Sequence, residues 1–125
     1  MTDAPLMTAD TARVGSAVVL TVGGEVDLHT APQLVDTVVA ALHRPGGGVT
    51  DGAPVESVVA DLTGVAFLSS AGLGTLAALA TRLGDDGIAL RLVAGANKAV
   101  TRPWTAMHLG DLLRLYPDLP TALDG

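Results

Sequence analysis

Two neighbouring serines carry the most chemistry in this 125-residue chain. Ser69 and Ser70 end an apolar segment and open a helical pattern within DLTGVAFLSSAGLG, residues 61–74. A serine hydroxyl at a helix N-terminus has two uses. It caps an orphan backbone N–H, or it accepts a phosphate, which the free N–H groups and the helix dipole then stabilise. Gly72 and Gly74 follow in the same turn. Glycine inside a helix costs about 1 kcal/mol relative to alanine, so a pair of them needs a reason. Bare backbone that lets a partner approach closely is one.

Other chemistries lack their parts. Asp27 and His29 lie in a polar link, but nothing in the sequence places a general base against Ser70, so a hydrolytic reading has no complete constellation. Asp27 also reads as an ordinary loop carboxylate, and Asp61 as a strand-end residue. His29, His43 and His108 show no metal-ligand spacing, and cysteine is absent, which removes thiolate metal sites and disulfides. The glycines at 46–48 follow a helix and precede a strand, the reverse of a phosphate-cradling loop. Catalytic residues, metals and cofactors are therefore expected to be none.

Composition narrows the partners. Thirteen acidic against seven basic residues give a formal charge of −6, the wrong sign for a phosphate-backbone binder. One Phe, one Tyr and one Trp cannot build a stacking platform for single strands. Apolar residues make up 49% and charged ones 16%, a folded chain with a core of Val, Leu and Ala. No apolar stretch approaches the ~18–20 residues of a spanning helix, and the acidic start lacks an export signal. A cytoplasmic protein without direct membrane or nucleic-acid binding is expected.

The elements that must position the serines follow from periodicity. Residues 1–11 read as a polar lead-in, overlapping a weakly patterned strand around residues 6–14 that pairs through Gly15-Ser16 with VVLTV, residues 18–22. GEVDLHT, residues 24–30, links to a helix for which Thr30 and Gln33 have capping-box spacing. Leu34, Val38 and Leu42 form its core stripe, and it should end near His43-Arg44. PGGGVTDGAP, residues 45–54, is a flexible surface loop. SVVADL, residues 57–62, suits a strand buried on both faces, and Val65 to Leu68 forms a second short apolar segment. The helix after it buries Leu73, Leu76 and Leu83 and should stop at Gly84. A strand over 88–94, a helix over 97–109 with Pro103 at its start or at a kink, a strand over 112–116 and a last helical turn complete the order. Trp104 and Met107 either pack the third helix on the sheet or, if exposed, mark a binding patch. Such alternation predicts one α/β domain over residues 1–125, with a mostly parallel, mixed sheet of four to five strands covered by helices.

D-L-x-x-V-x-F-x-x-S-x-G-L-G, together with GEVDLHTAPQL at 24–34, resembles the STAS domain family, as found in bacterial anti-sigma factor antagonists. The likeness extends over nearly the whole chain. It implies a STAS-type fold and a regulatory protein rather than an enzyme. The implied partner is a cytoplasmic anti-sigma factor with serine kinase activity, from which the antagonist displaces a sigma factor and which inactivates the antagonist by phosphorylation. The resemblance places the phosphoacceptor at Ser70. It sets Asp27, Thr30, Ser69, Ser70, Ala71, Gly72, Leu73 and Gly74 at the partner-binding positions. Ser69 stands where the family has an acidic residue, and Ala71 where it has a second hydroxyl. The same family also includes docking modules of transport and sensory assemblies in which this serine is only a cap. The oligomeric state, and any nucleotide binding, are left open.

Overall fold

The structure is a computed structural model that describes residues 6–43 and 54–125. Its elements are β1 (Met7–Val14), β2 (Ala17–Val26), α1 (Ala31–Leu42), β3 (Ser57–Leu68), α2 (Ser70–Asp85), β4 (Ala89–Val93), α3 (Lys98–Ala106), β5 (Arg114–Tyr116) and α4 (Leu119–Asp124). The five strands lie side by side in chain order. β1 and β2 form an antiparallel hairpin, and every later neighbour is parallel. The α/β class and mostly parallel mixed sheet expected from the sequence are present. The hairpin turns at Gly15, whose φ of 58° suits glycine.

The sheet buries its two faces unequally. Val18, Leu20, Val58, Ala60, Leu90 and Leu92 meet α1, α2 and α3 in the main core, through Leu34, Val38, Leu73, Leu76 and Val100. The opposite face holds a smaller cluster of Ala17, Val59 and Val93 under Ala122 of α4. Val58 and Val59, consecutive and both 0% exposed, therefore serve different cores, as strand alternation requires.

Several boundaries differ from the sequence expectations. Lead-in residues 7–11 belong to β1, because pairing with β2 stabilises a segment whose own pattern is weak. The two apolar segments at 57–62 and 65–68 are one twelve-residue strand. Its pairing with β2 shifts register between Thr21 and Gly23 and again between Gly24 and Glu25, so β3 carries extra residues as bulges. α2 runs past Gly84 to Asp85, and the left-handed residue after it is Gly87, at φ 76°. α3 starts at Lys98 under an Asn97 cap and accommodates Pro103 in its interior. β5 is only three residues long. Leu34, Val38, Leu76 and Leu83 are buried, while Leu42 is half-buried. Trp104 packs against the core and donates from Nε1 to the Leu113 carbonyl at 2.8 Å, whereas Met107 is exposed. The glycine-rich loop at 45–54 lies outside the described residues except for Pro54.

Candidate functional site

The C-terminal ends of β2 and β3 run together, with Val26 opposite Leu68. The Ser69 N–H donates to the Val26 carbonyl at 2.9 Å, so the loops after the two strands leave the sheet from one point. Ser69 has extended backbone (φ −79°, ψ 166°), and its hydroxyl accepts from the Gly72 N–H at 3.0 Å. Ser69 is therefore the N-cap of α2, and Ser70 is its first helical residue. The hydroxyl of Ser70 is exposed and makes no hydrogen bond among the described residues. The N–H groups of Ser70 and Ala71 have no intrahelical acceptor in a first turn. An anion on Ser70 would lie at the positive end of the helix dipole.

The glycines of this turn have separate reasons. Gly72 is buried, and a Cβ there would stand 2.6 Å from the Val26 carbonyl oxygen and 3.0 Å from Val26 Cγ1. Its bare backbone admits the neighbouring strand of the same chain, not a partner. Gly74 has nothing within 4 Å of an added Cβ and faces solvent. Leu73 is 0% exposed and belongs to the core. Of the expected partner-binding positions in this helix, Ser70, Ala71 and Gly74 reach the surface, Ser69 is half-buried, and Gly72 and Leu73 hold the turn in place.

Asp27 and Thr30 build the facing loop. Thr30 occupies the N-cap position of α1, but its hydroxyl makes no cap bond, so the expected capping box with Gln33 is not formed. The hydroxyl instead donates to the Glu25 carbonyl at 2.8 Å and accepts from the Asp27 N–H at 2.9 Å. Asp27 Oδ1 accepts from the backbone N–H groups of His29 at 2.9 Å and Thr30 at 3.1 Å. The carboxylate thus takes over the turn that the threonine was expected to cap. Its pKa lies below the ordinary 3.8, chiefly through the Thr30 backbone N–H, with the His29 N–H and the Thr30 hydroxyl adding to the effect against desolvation.

β3 is tied near its bulges by a side chain remote in sequence. Asn97 Nδ2 donates to the carbonyls of Leu62 at 3.0 Å and Val65 at 2.8 Å, while Asn97 Oδ1 caps α3 through the Ala99 N–H at 3.1 Å. Asp61, expected at a strand end, lies inside β3 and accepts from the Thr63 N–H and hydroxyl at 3.0 and 2.8 Å. These bonds occupy polar groups that the bulges free from the ladder. Beyond them Phe67 and, in the facing loop, Leu28 are 51% and 68% exposed. Sequence reasoning passed over both. Their signal was an apolar residue beside each polar motif, and burial alone could have told them from core. Among the described residues, no cluster of His, Asp and Glu could hold a metal ion, and no helix is long and apolar enough to cross a membrane.

The STAS domain family model matches residues 8–122. The anti-sigma-F factor antagonist RsfB of Mycobacterium tuberculosis is 38% identical over 108 residues, covering 86% of this chain and 79% of its own. The crystal structure of an anti-sigma factor antagonist from Mycobacterium paratuberculosis superposes with a TM-score of 0.76 at 32% identity, over 94% of this chain and 92% of that one. The Bacillus cell fate determinant SpoIIAA in its phosphorylated form shares the fold, with a TM-score of 0.62 at 19% identity over 94% and 97% of the two chains.

Proposed function

The chain belongs to the STAS domain family, and on that premise we propose that it is an anti-sigma factor antagonist switched off by phosphorylation of Ser70. Relatives at 38% and 32% identity are named anti-sigma factor antagonists. The observation that carries the switch is the exposed, unbonded Ser70 hydroxyl on the first turn of α2, beside two donors left without an acceptor. A phosphate there adds about −1.5 to −2 charge where the fold tolerates it, so the switch acts at the interface and leaves the fold unchanged. The partner is a cytoplasmic anti-sigma factor that is also a serine kinase, and binding it frees a sigma factor. The protein is a kinase substrate and regulator, not a catalyst.

Contact falls to the exposed surface of the site: Ser70, Ala71 and Gly74 on α2, with Leu28 and Phe67 supplying apolar area beside them. Asp27, Thr30 and Ser69 hold the two loops in register. Ser69 in the place of the family's acidic residue keeps the capping oxygen but not the charge.

Binding to the purified anti-sigma factor tests this. Unmodified protein and Ser70→Ala should bind alike, and protein carrying phosphoserine at residue 70 at least tenfold more weakly with an unchanged fold. Equal binding of the phosphorylated form, or a large rearrangement on phosphorylation, would overturn the switch and favour an unswitched docking module.

A further inference from the structure

We propose that the end of the sheet farthest from Ser70 holds a binding site for a phosphate group, built on Arg91 and Arg114. The two ends are distinct places: at ~3.3 Å per residue a strand the length of β3 separates them by roughly 35 Å. Arg91 and Arg114 are direct partners in the parallel β4–β5 register. Their side chains therefore leave the same face of the sheet from strands about 4.8 Å apart. Like charges placed so repel one another. No carboxylate among the described residues forms an ion pair with either guanidinium, although acidic residues outnumber basic ones almost two to one. Arg91 spends one donor on the Ala122 carbonyl, at 3.2 Å. Among the described residues, its remaining donors and all those of Arg114 have no partner.

A second observation points to a ligand. Arg91 is the wall between two shallow cavities of about 390 and 340 Å³, each within the size range of small-molecule sites. The first contains Ser57, a residue only 5% exposed. The Ser57 hydroxyl has no hydrogen-bond partner among the described residues and is not sealed from solvent, so it opens into that cavity. The second cavity adds Arg114 and the Tyr116 side chain.

Two arginines on neighbouring strands and one face of the sheet match a phosphate dianion in charge and in donor type, while the Ser57 hydroxyl lies in the first cavity, across Arg91 from Arg114. Glu56, Asp111 and Asp124 also line the walls, which restricts the site to a group small enough to rest on the arginines. The phosphate is either free or the head of a phosphate monoester whose remainder lies along the Ser57 cavity.

Titration of the full chain with inorganic phosphate, and separately with glycerol 3-phosphate, tests the site by amide chemical shifts at constant ionic strength. Saturable shifts confined to residues around Ser57, Arg91 and Arg114 are expected. Arg91→Gln and Arg114→Gln should each weaken binding at least tenfold while melting as cooperatively as the parent, and Ser70→Ala should leave it unchanged. A monoester as ligand gives tighter binding by glycerol 3-phosphate, reduced by Ser57→Ala, whereas free phosphate as ligand gives no such preference. Shifts that fail to saturate, that chloride reproduces, or that survive Arg114→Gln would overturn the proposal.

Discussion

Alanine substituted at Gly72 and at Gly74 should move stability in opposite directions, although the two glycines share one helical turn. In helix propensity alone each substitution gains about 1 kcal/mol. At Gly72 the new Cβ meets the Val26 carbonyl oxygen at 2.6 Å, the Val26 carbonyl carbon at 3.0 Å and Cγ1 at 3.0 Å. Neither side yields easily. Val26 is fully buried and paired with Leu68, and its carbonyl already accepts the Ser69 N–H at 2.9 Å. Overpacking of this kind costs about 1–3 kcal/mol, and a clash with backbone belongs at the upper end. The net loss expected for Gly72→Ala is about 1–2 kcal/mol. For a chain of this length that lowers Tm by about 4–8 °C. At Gly74 nothing lies within 4 Å, so Gly74→Ala should add about 0.5–1 kcal/mol. Thermal melts and urea titrations followed by far-UV circular dichroism would measure both. A Gly72→Ala variant as stable as the parent would refute the close approach of α2 to β2 that sets the position of Ser70.

The capping serine can be separated from the acceptor: Ser69→Ala should destabilise by about 1 kcal/mol, while Ser69→Asp, which restores both a capping oxygen and the family's charge, should stay within a few tenths in urea denaturation. Asn97→Ala removes bonds to three β3 carbonyls and the α3 cap, and should cost about 2–3 kcal/mol, with amide exchange accelerated first around residues 62–65. Because the folded pKa of Asp27 is depressed, the unfolded chain binds the extra proton as pH falls. The stabilisation from this carboxylate is whole above its ordinary value near 3.8 and is lost as pH drops through the folded value. The difference in Tm between the parent and Asp27→Asn should therefore shrink on acidification through that window, and a difference independent of pH would exclude the linkage.

The parts of the site readable from the sequence are those governed by local rules. The run Val58-Val59-Ala60 announces burial on both faces, and the structure divides it between the two cores. The start of α2 at the serines follows from the spacing of Leu73, Leu76 and Leu83. Which serine caps is not local, because both residues are competent and the choice rests on the bond from the Ser69 N–H to Val26. Thr30 and Gln33 had the right spacing for a capping box, but the Asp27 carboxylate outcompetes the hydroxyl for the same turn. The reason for Gly72 is a strand distant in the chain, and the two β3 segments are joined through bulges whose carbonyls are satisfied by Asn97. Periodicity reports which side of an element is buried. It does not report which remote group completes it.

Phosphosite mapping by mass spectrometry on the protein recovered from its native host, with Ser70→Ala as control, tests the switch most directly. The expected result is phosphate on Ser70 that disappears in the variant and does not move to Ser69, whose hydroxyl is engaged in capping. Absence of phosphate under every growth condition, or phosphate on Ser69 in its place, would contradict it.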